Sequence, residues 1–137
     1  MLYTRSRTVK QDTGIEIRDT SNYSITVTEA DHGNPFYFTI KITNDTPAHD
    51  YPLEVILRMS SSIANREIFD ESALVTTTAA DMVILSPETG TGTGQTVISR
   101  TVPLLRGWPC SDSLFVILKA GTSPTTGSCN VEVVAHY

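Results

Sequence analysis

Side chains able to do chemistry are few in this sequence and widely spaced. His32, His49 and His136 are its three histidines. A histidine metal centre needs a second ligand at i+4, or a cysteine at metal spacing, so that the donors converge on one ion. None of the three has such a partner, and all read as surface histidines. His49-Asp50 beside Asp45 could offer carboxylate oxygens to a hard cation, and a solvated acidic turn has the same residues. The glycines of "GTGTG", residues 90 to 94, are followed by no Lys-Ser/Thr and by an extended element rather than a helix, so no phosphate cradle forms and a turn is expected. No G-x-S-x-G elbow occurs, and no Ser, His and Asp fall in a local catalytic signature. The chemistry thus points to a protein that is not an enzyme, without metal or cofactor.

The two cysteines, Cys110 and Cys129, flank the last two extended stretches. If those stretches form a hairpin about "GTSPTTGS", roughly seven to ten residues at about 3.3 Å each separate the sulfurs, far beyond the ~6 Å between Cα atoms that a disulfide spans. Unpaired thiols are therefore expected, in keeping with synthesis in a reducing compartment. Cys129 reads as a small core residue.

The elements that would position these groups are strands. In "PFYFTIKITNDTPAHDYPLEVILRM", residues 35 to 59, Phe36, Phe38, Ile40 and Ile42 alternate with Tyr37, Thr39, Lys41 and Thr43. After a polar turn, Leu53, Val55, Leu57 and Met59 alternate with Glu54, Ile56 and Arg58. Alternation of this kind makes half-buried strands. Strands are expected at residues 14 to 18, 23 to 29, 35 to 43, 52 to 59, 66 to 69, 80 to 86, 95 to 102, 113 to 120 and 129 to 136, separated by turns rich in Gly, Pro, Asn and Asp. Residues 60 to 80 stay open between strand, helical turn and loop. The fold class is all-β: an immunoglobulin-like or jelly-roll β-sandwich with an extended N-terminal arm. The arm is residues 1 to 22 and the sandwich residues 23 to 137.

With 137 residues, 39% of them hydrophobic, the chain can build one core. The net charge is −5, yet Arg5, Arg7 and Lys10 precede the first acid. That spot is too small for nucleic-acid binding, and the acidic body opposes it. No apolar run reaches the roughly 20 residues of a membrane span, and "MLYTRSRTVK" has no apolar signal core. Two sequons, Asn22-Tyr23-Ser24 and Asn44-Asp45-Thr46, recur by chance in a chain this rich in Ser and Thr. The three lysines leave strand edges thinly protected. Trp108, the single tryptophan, caps the core or anchors an interface; its surroundings in sequence allow both.

"FYFTIKITNDTPAHDYPLEVILRMSSS", then "MVILSPETGTGTGQTVISRTVP" and "SLFVILKAGTSPTTGSCNVEVVAHY", resembles the immunoglobulin-like barrels at the C-terminal end of transglutaminases over about residues 34 to 137. The shared pattern is a T-N-x-T type turn, an L-x-V-x-L strand, a polar turn and a closing hairpin. The catalytic domain of that family has no counterpart here, so the resemblance implies a binding module and carries no catalytic residue.

A sandwich without a chemical constellation acts by its surface. The first expectation is a structural subunit of a virion, a decoration or coat protein made in the host cytoplasm. Its partners would be copies of itself, a trimer being one arrangement, and a capsid or other protein surface, with neither nucleic acid nor membrane involved. The second is an extracellular adhesion or binding module of the transglutaminase-barrel type; a small enzyme and a carbohydrate-binding module are the remaining classes. Candidate interface residues are Tyr3, Arg5, Arg7, Val9, Lys10, Ile15, Ile17 and Trp108. Ordering the arm costs ~1 to 2 kcal/mol per residue against one short apolar pair, Ile15 and Ile17. The arm is accordingly expected to order only against a partner, and its removal (residues 1 to 12) to leave a folded sandwich.

Overall fold

Apolar residues at every second position do make strands, and the strands stack as two antiparallel sheets. The computed structural model describes residues 5–16, 23–28, 35–44, 53–59, 76–77, 82–85, 97–104, 113–120 and 127–137. The elements are β1 (Ser6–Ile15), β2 (Tyr23–Val27), β3 (Tyr37–Asn44), β4 (Leu53–Met59), β5 (Thr76–Thr77), β6 (Met82–Leu85), β7 (Val97–Pro103), β8 (Leu114–Ala120) and β9 (Cys129–His136). One sheet has four strands in the order β1-β9-β3-β7, and the other five in the order β2-β8-β4-β6-β5. Within the stretch that the sequence left open, residues 76 and 77 form β5, while the strand expected at 66 to 69 lies outside the described residues.

The pairing is nested. β1 lies against β9, β2 against β8, β3 against β7 and β4 against β6, every pair antiparallel. Consecutive pairs of the nest alternate between the two sheets. This is the wrapping of an eight-stranded jelly roll with a short added strand. An immunoglobulin sandwich would instead pair sequence neighbours within each sheet.

One core fills the space between the sheets. From the first sheet come Phe38, Ile40 and Ile42 of β3, opposite Ala135, Val133 and Val131 of β9. From the second come Val55, Leu57 and Met59 of β4, opposite Leu118, Val116 and Leu114 of β8. All twelve are buried. The outer face of the second sheet is also apolar at its centre, where Ile56 and Ile117 face each other at 7% and 3% exposure and Phe115 packs beside them. Strands covered on both faces lose the polar half of their alternation, so Ile56 is not the solvent-facing residue that its neighbours Glu54 and Arg58 imply.

Three expectations are corrected. The closing hairpin does not form, because β8 and β9 lie in different sheets; the opposite-ends argument for the cysteines falls with it. Cys129 is a buried thiol, as a core residue would be, and Cys110 lies outside the described residues. Phe36 does not continue the buried face of Phe38: it sits at a bend before β3 and is 67% exposed. Finally, residues 6 to 15 do not wait for a partner, since they form β1 along β9 of their own chain.

Candidate functional site

Two surfaces of the four-stranded sheet gather polar side chains, and both are built on β9. On its outer face, His136 is opposite Tyr37 of β3 in the ladder, and their rings stack with centroids 4.5 Å apart and planes 16° apart. The His136 Nε2 and Thr39 Oγ1 are hydrogen-bonded at 2.7 Å, and Thr39 shares a second bond of 2.9 Å with Thr101 Oγ1 on β7. A chain of side chains thus crosses β9, β3 and β7. Partial burial of the imidazole disfavours its charged form and lowers the His136 pKa below the ordinary 6.5.

Further along the same face, Lys41 lies opposite Glu132, and Thr8 of β1 donates from Oγ1 to Glu132 Oε1 at 3.0 Å. Beside them Gln11, Thr13, Lys41, Thr43, Asn130 and Glu132 border a shallow groove of about 150 Å³. Among the described residues this face is rich in Thr, and the opposed charges of Lys41 and Glu132 on it balance.

The second surface is the end of the sheet where β1 begins. The ladder extends one residue past the strands, with Tyr137 N donating to Arg5 O at 2.7 Å and Arg5 N to Tyr137 O at 3.2 Å. Arg5, Ser6, Arg7 and Tyr137 line a cleft of about 310 Å³. Arg7 donates from Nη2 to the Tyr137 hydroxyl at 3.3 Å, its guanidinium 5.9 Å from the ring centroid. The Tyr137 ring itself packs against the core.

β1 is an irregular edge strand. Its register against β9 shifts between Thr8 and Lys10 and again between Asp12 and Ile15. Gly14 takes a positive φ of 63° at the second shift, where its N–H donates to Asn130 Oδ1 at 2.9 Å. Across the open corner of the sandwich, Tyr23 of β2 donates its hydroxyl to Asp12 Oδ2 at 3.3 Å. Partial burial, then the Asp12 charge and this bond, raise the Tyr23 pKa above 10.0.

Of the interface candidates read from sequence, Arg5 and Arg7 come together at the cleft, and Lys10 is half-buried on β1. Val9 and Ile15 are buried in the chain's own core, so neither is offered to a neighbour. Tyr3, Ile17 and Trp108 lie outside the described residues, as do His32 and His49. The Tyr37–Thr39–Thr101–His136 chain was not singled out. Its only signal is that these residues hold outward positions of their strands, and strand pairing alone brings them together. Among the described residues, no three His, Cys, Asp or Glu side chains group as metal ligands, and no helix is long and apolar enough to cross a membrane, which says nothing of a membrane β-barrel.

The chain matches no family model and no curated protein. Solved structures of virus chains are among those similar to it. A chain of Desmodium yellow mottle tymovirus shares 16% identity with a TM-score of 0.45, covering 98% of this chain and 85% of that one. A chain from a structure of turnip yellow mosaic virus at 100 K shares 13% identity with a TM-score of 0.41, covering 98% and 90%. Both likenesses are too distant to bear on function.

Proposed function

We propose that the chain is a non-enzymatic structural subunit of a virion, a coat or decoration protein that acts through contacts with copies of itself. The observation that carries this reading is the four-stranded sheet, with a neutral, Thr-rich outer face running from edge strand β1 to edge strand β7. A β-surface poor in charge suits repeated subunit packing, since the cores of interfaces are depleted of charged residues. The jelly roll supports the reading by fold-level analogy alone, since capsid domains, lectins and cupins all use it. The transglutaminase-barrel alternative rests on its sequence pattern, and the split of β8 and β9 between sheets removes the closing hairpin from that pattern.

Light scattering and negative-stain microscopy of the purified protein test the proposal. A closed assembly or discrete oligomer is expected, and Thr101→Lys with Thr43→Lys, which places like charges on the neutral face, should disperse it into folded monomers. A wild-type protein that stays monomeric at all accessible concentrations overturns the reading.

A further inference from the structure

We propose that the outer face of the four-stranded sheet pairs with the same face of a second copy about a two-fold axis parallel to its strands, Lys41 of each copy meeting Glu132 of the other. The pairing rests on the proposed role as a structural subunit and names how copies meet on that face. The strand order β1-β9-β3-β7 puts β9 and β3 on either side of the sheet's midline. Across that midline Tyr37 faces His136, Thr39 faces Val134, Lys41 faces Glu132 and Thr43 faces Asn130, and these residues alternate with buried ones, so they point outward. A half-turn about the midline lays β3 of one copy over β9 of the other. Each outward residue then stands over its own ladder partner in the second copy, and Lys41 meets Glu132 twice, once in each direction.

The charges select this axis. Among the outward residues of β3 and β9, Lys41 is the one fully charged base and Glu132 the one acid. A two-fold axis running across the strands at their row would set Lys41 on Lys41 and Glu132 on Glu132, and like charges brought together oppose association. Lys41 is exposed, and among the described residues no ion pair engages it. Thr8, Gln11 and Thr101, in or beside the same row, are exposed as well, so the face is open to solvent. Sheets packed face to face lie about 10 Å apart with their strands within about 30° of alignment, a gap that a lysine and a glutamate reaching from opposite sides span. The edges of the sheet offer less: β1 is interrupted by two register shifts, and β7 ends in Pro103, which has no N–H to give. Four strands about 4.8 Å apart and about seven residues long make a footprint on the order of 450 Å². A standard interface takes roughly 800 Å² from each partner, so the pair is weak alone and gains strength by repetition in an assembly.

Sedimentation velocity of the full chain over a concentration series, with titration calorimetry of mixed chains, tests the pairing. Lys41→Glu and Glu132→Lys should each raise the concentration midpoint of association about tenfold or more, because each sets like charges over one another. Mixed, the two variants should bind each other at least about tenfold more tightly than either binds itself, and both exchanges in one chain should restore the wild-type midpoint within about threefold. Lys41→Gln with Glu132→Gln removes both charges without opposing them in the ladder; it should weaken association several-fold and stands in for any single variant that thermal unfolding shows to be unfolded. An oligomer whose midpoint is the same in the wild type and in all these variants overturns the contact and leaves the structural role standing, as does a weakening that neither mixing nor the double exchange relieves. A wild type that stays monomeric overturns both.

Discussion

Tyr37 and His136, paired across β3 and β9, stack with ring centroids 4.5 Å apart while His136 is bonded to Thr39 at 2.7 Å. Partial burial beside these partners disfavours the charged imidazole. Burial lowers its pKa from 6.5, so the unfolded chain binds more protons than the folded one just below pH 6.5. Stability should be fully present above pH 6.5 and fall as pH drops through the folded value. Urea unfolding at pH 7.5 and pH 5.5 checks this: the wild type should lose more stability on acidification than His136→Gln. An imidazole proton titration with a midpoint at or above 6.5 would refute it.

Tyr23 has the opposite sign. Its pKa is raised, by burial first and Asp12 second, so the folded chain holds the phenol proton longer than the unfolded chain does. The associated stability is complete below pH 10 and is lost as pH rises through the folded value. Tyr23→Phe should flatten the alkaline limb of a stability profile and leave the neutral region within about 1 kcal/mol, the loss of one exposed hydrogen bond. A steep alkaline limb in the variant would place the titrating group elsewhere.

Phe36 and Phe38 are two residues apart and differ in every consequence. Phe38 is fully buried between the sheets, whereas Phe36 is 67% exposed. Phe38→Ala should cost about 3 to 5 kcal/mol, and Phe36→Ser should stay within about 0.5 kcal/mol, both read from denaturant midpoints. Equal costs would mean that the bend before β3 is misplaced.

Gly14 tests the irregular edge. A Cβ built there meets nothing within 4 Å, so any penalty comes from the backbone at φ +63° rather than from a clash. Gly14→Ala should destabilise by about 1 to 2 kcal/mol, and Gly14→Asn by less, because asparagine tolerates the left-handed region. Similar losses for the two would point to the side chains instead.

Removing residues 1 to 12 is no longer a harmless truncation. It takes away most of β1, including the buried Val9, and leaves one edge of β9 without its ladder partner. The expected result is a protein of lower midpoint that associates through that edge, seen by thermal unfolding and light scattering. A truncated chain as stable as the full one would show that β1 contributes nothing to the sandwich.

The sequence by itself determined that this is an all-β protein and where most strands run. Phe38, Ile40 and Ile42, or Cys129, Val131, Val133 and Ala135, mark a buried face by their spacing alone, since the two-residue repeat is local and one covered face is enough to write it. β1 escaped because two register shifts break the repeat and leave Val9 and Ile15 six positions apart. Only the tertiary structure decided the strand order. Ladder bonds join backbone groups that every residue but proline has, so nothing in "SLFVILKA" or "CNVEVVAHY" states that these neighbours part to different sheets. Nonlocal pairing of β1 with β9 brings Arg5 to Tyr137, and that of β3 with β9 brings His136 to Thr39. Both candidate surfaces therefore had residues legible in the sequence and a geometry that was not.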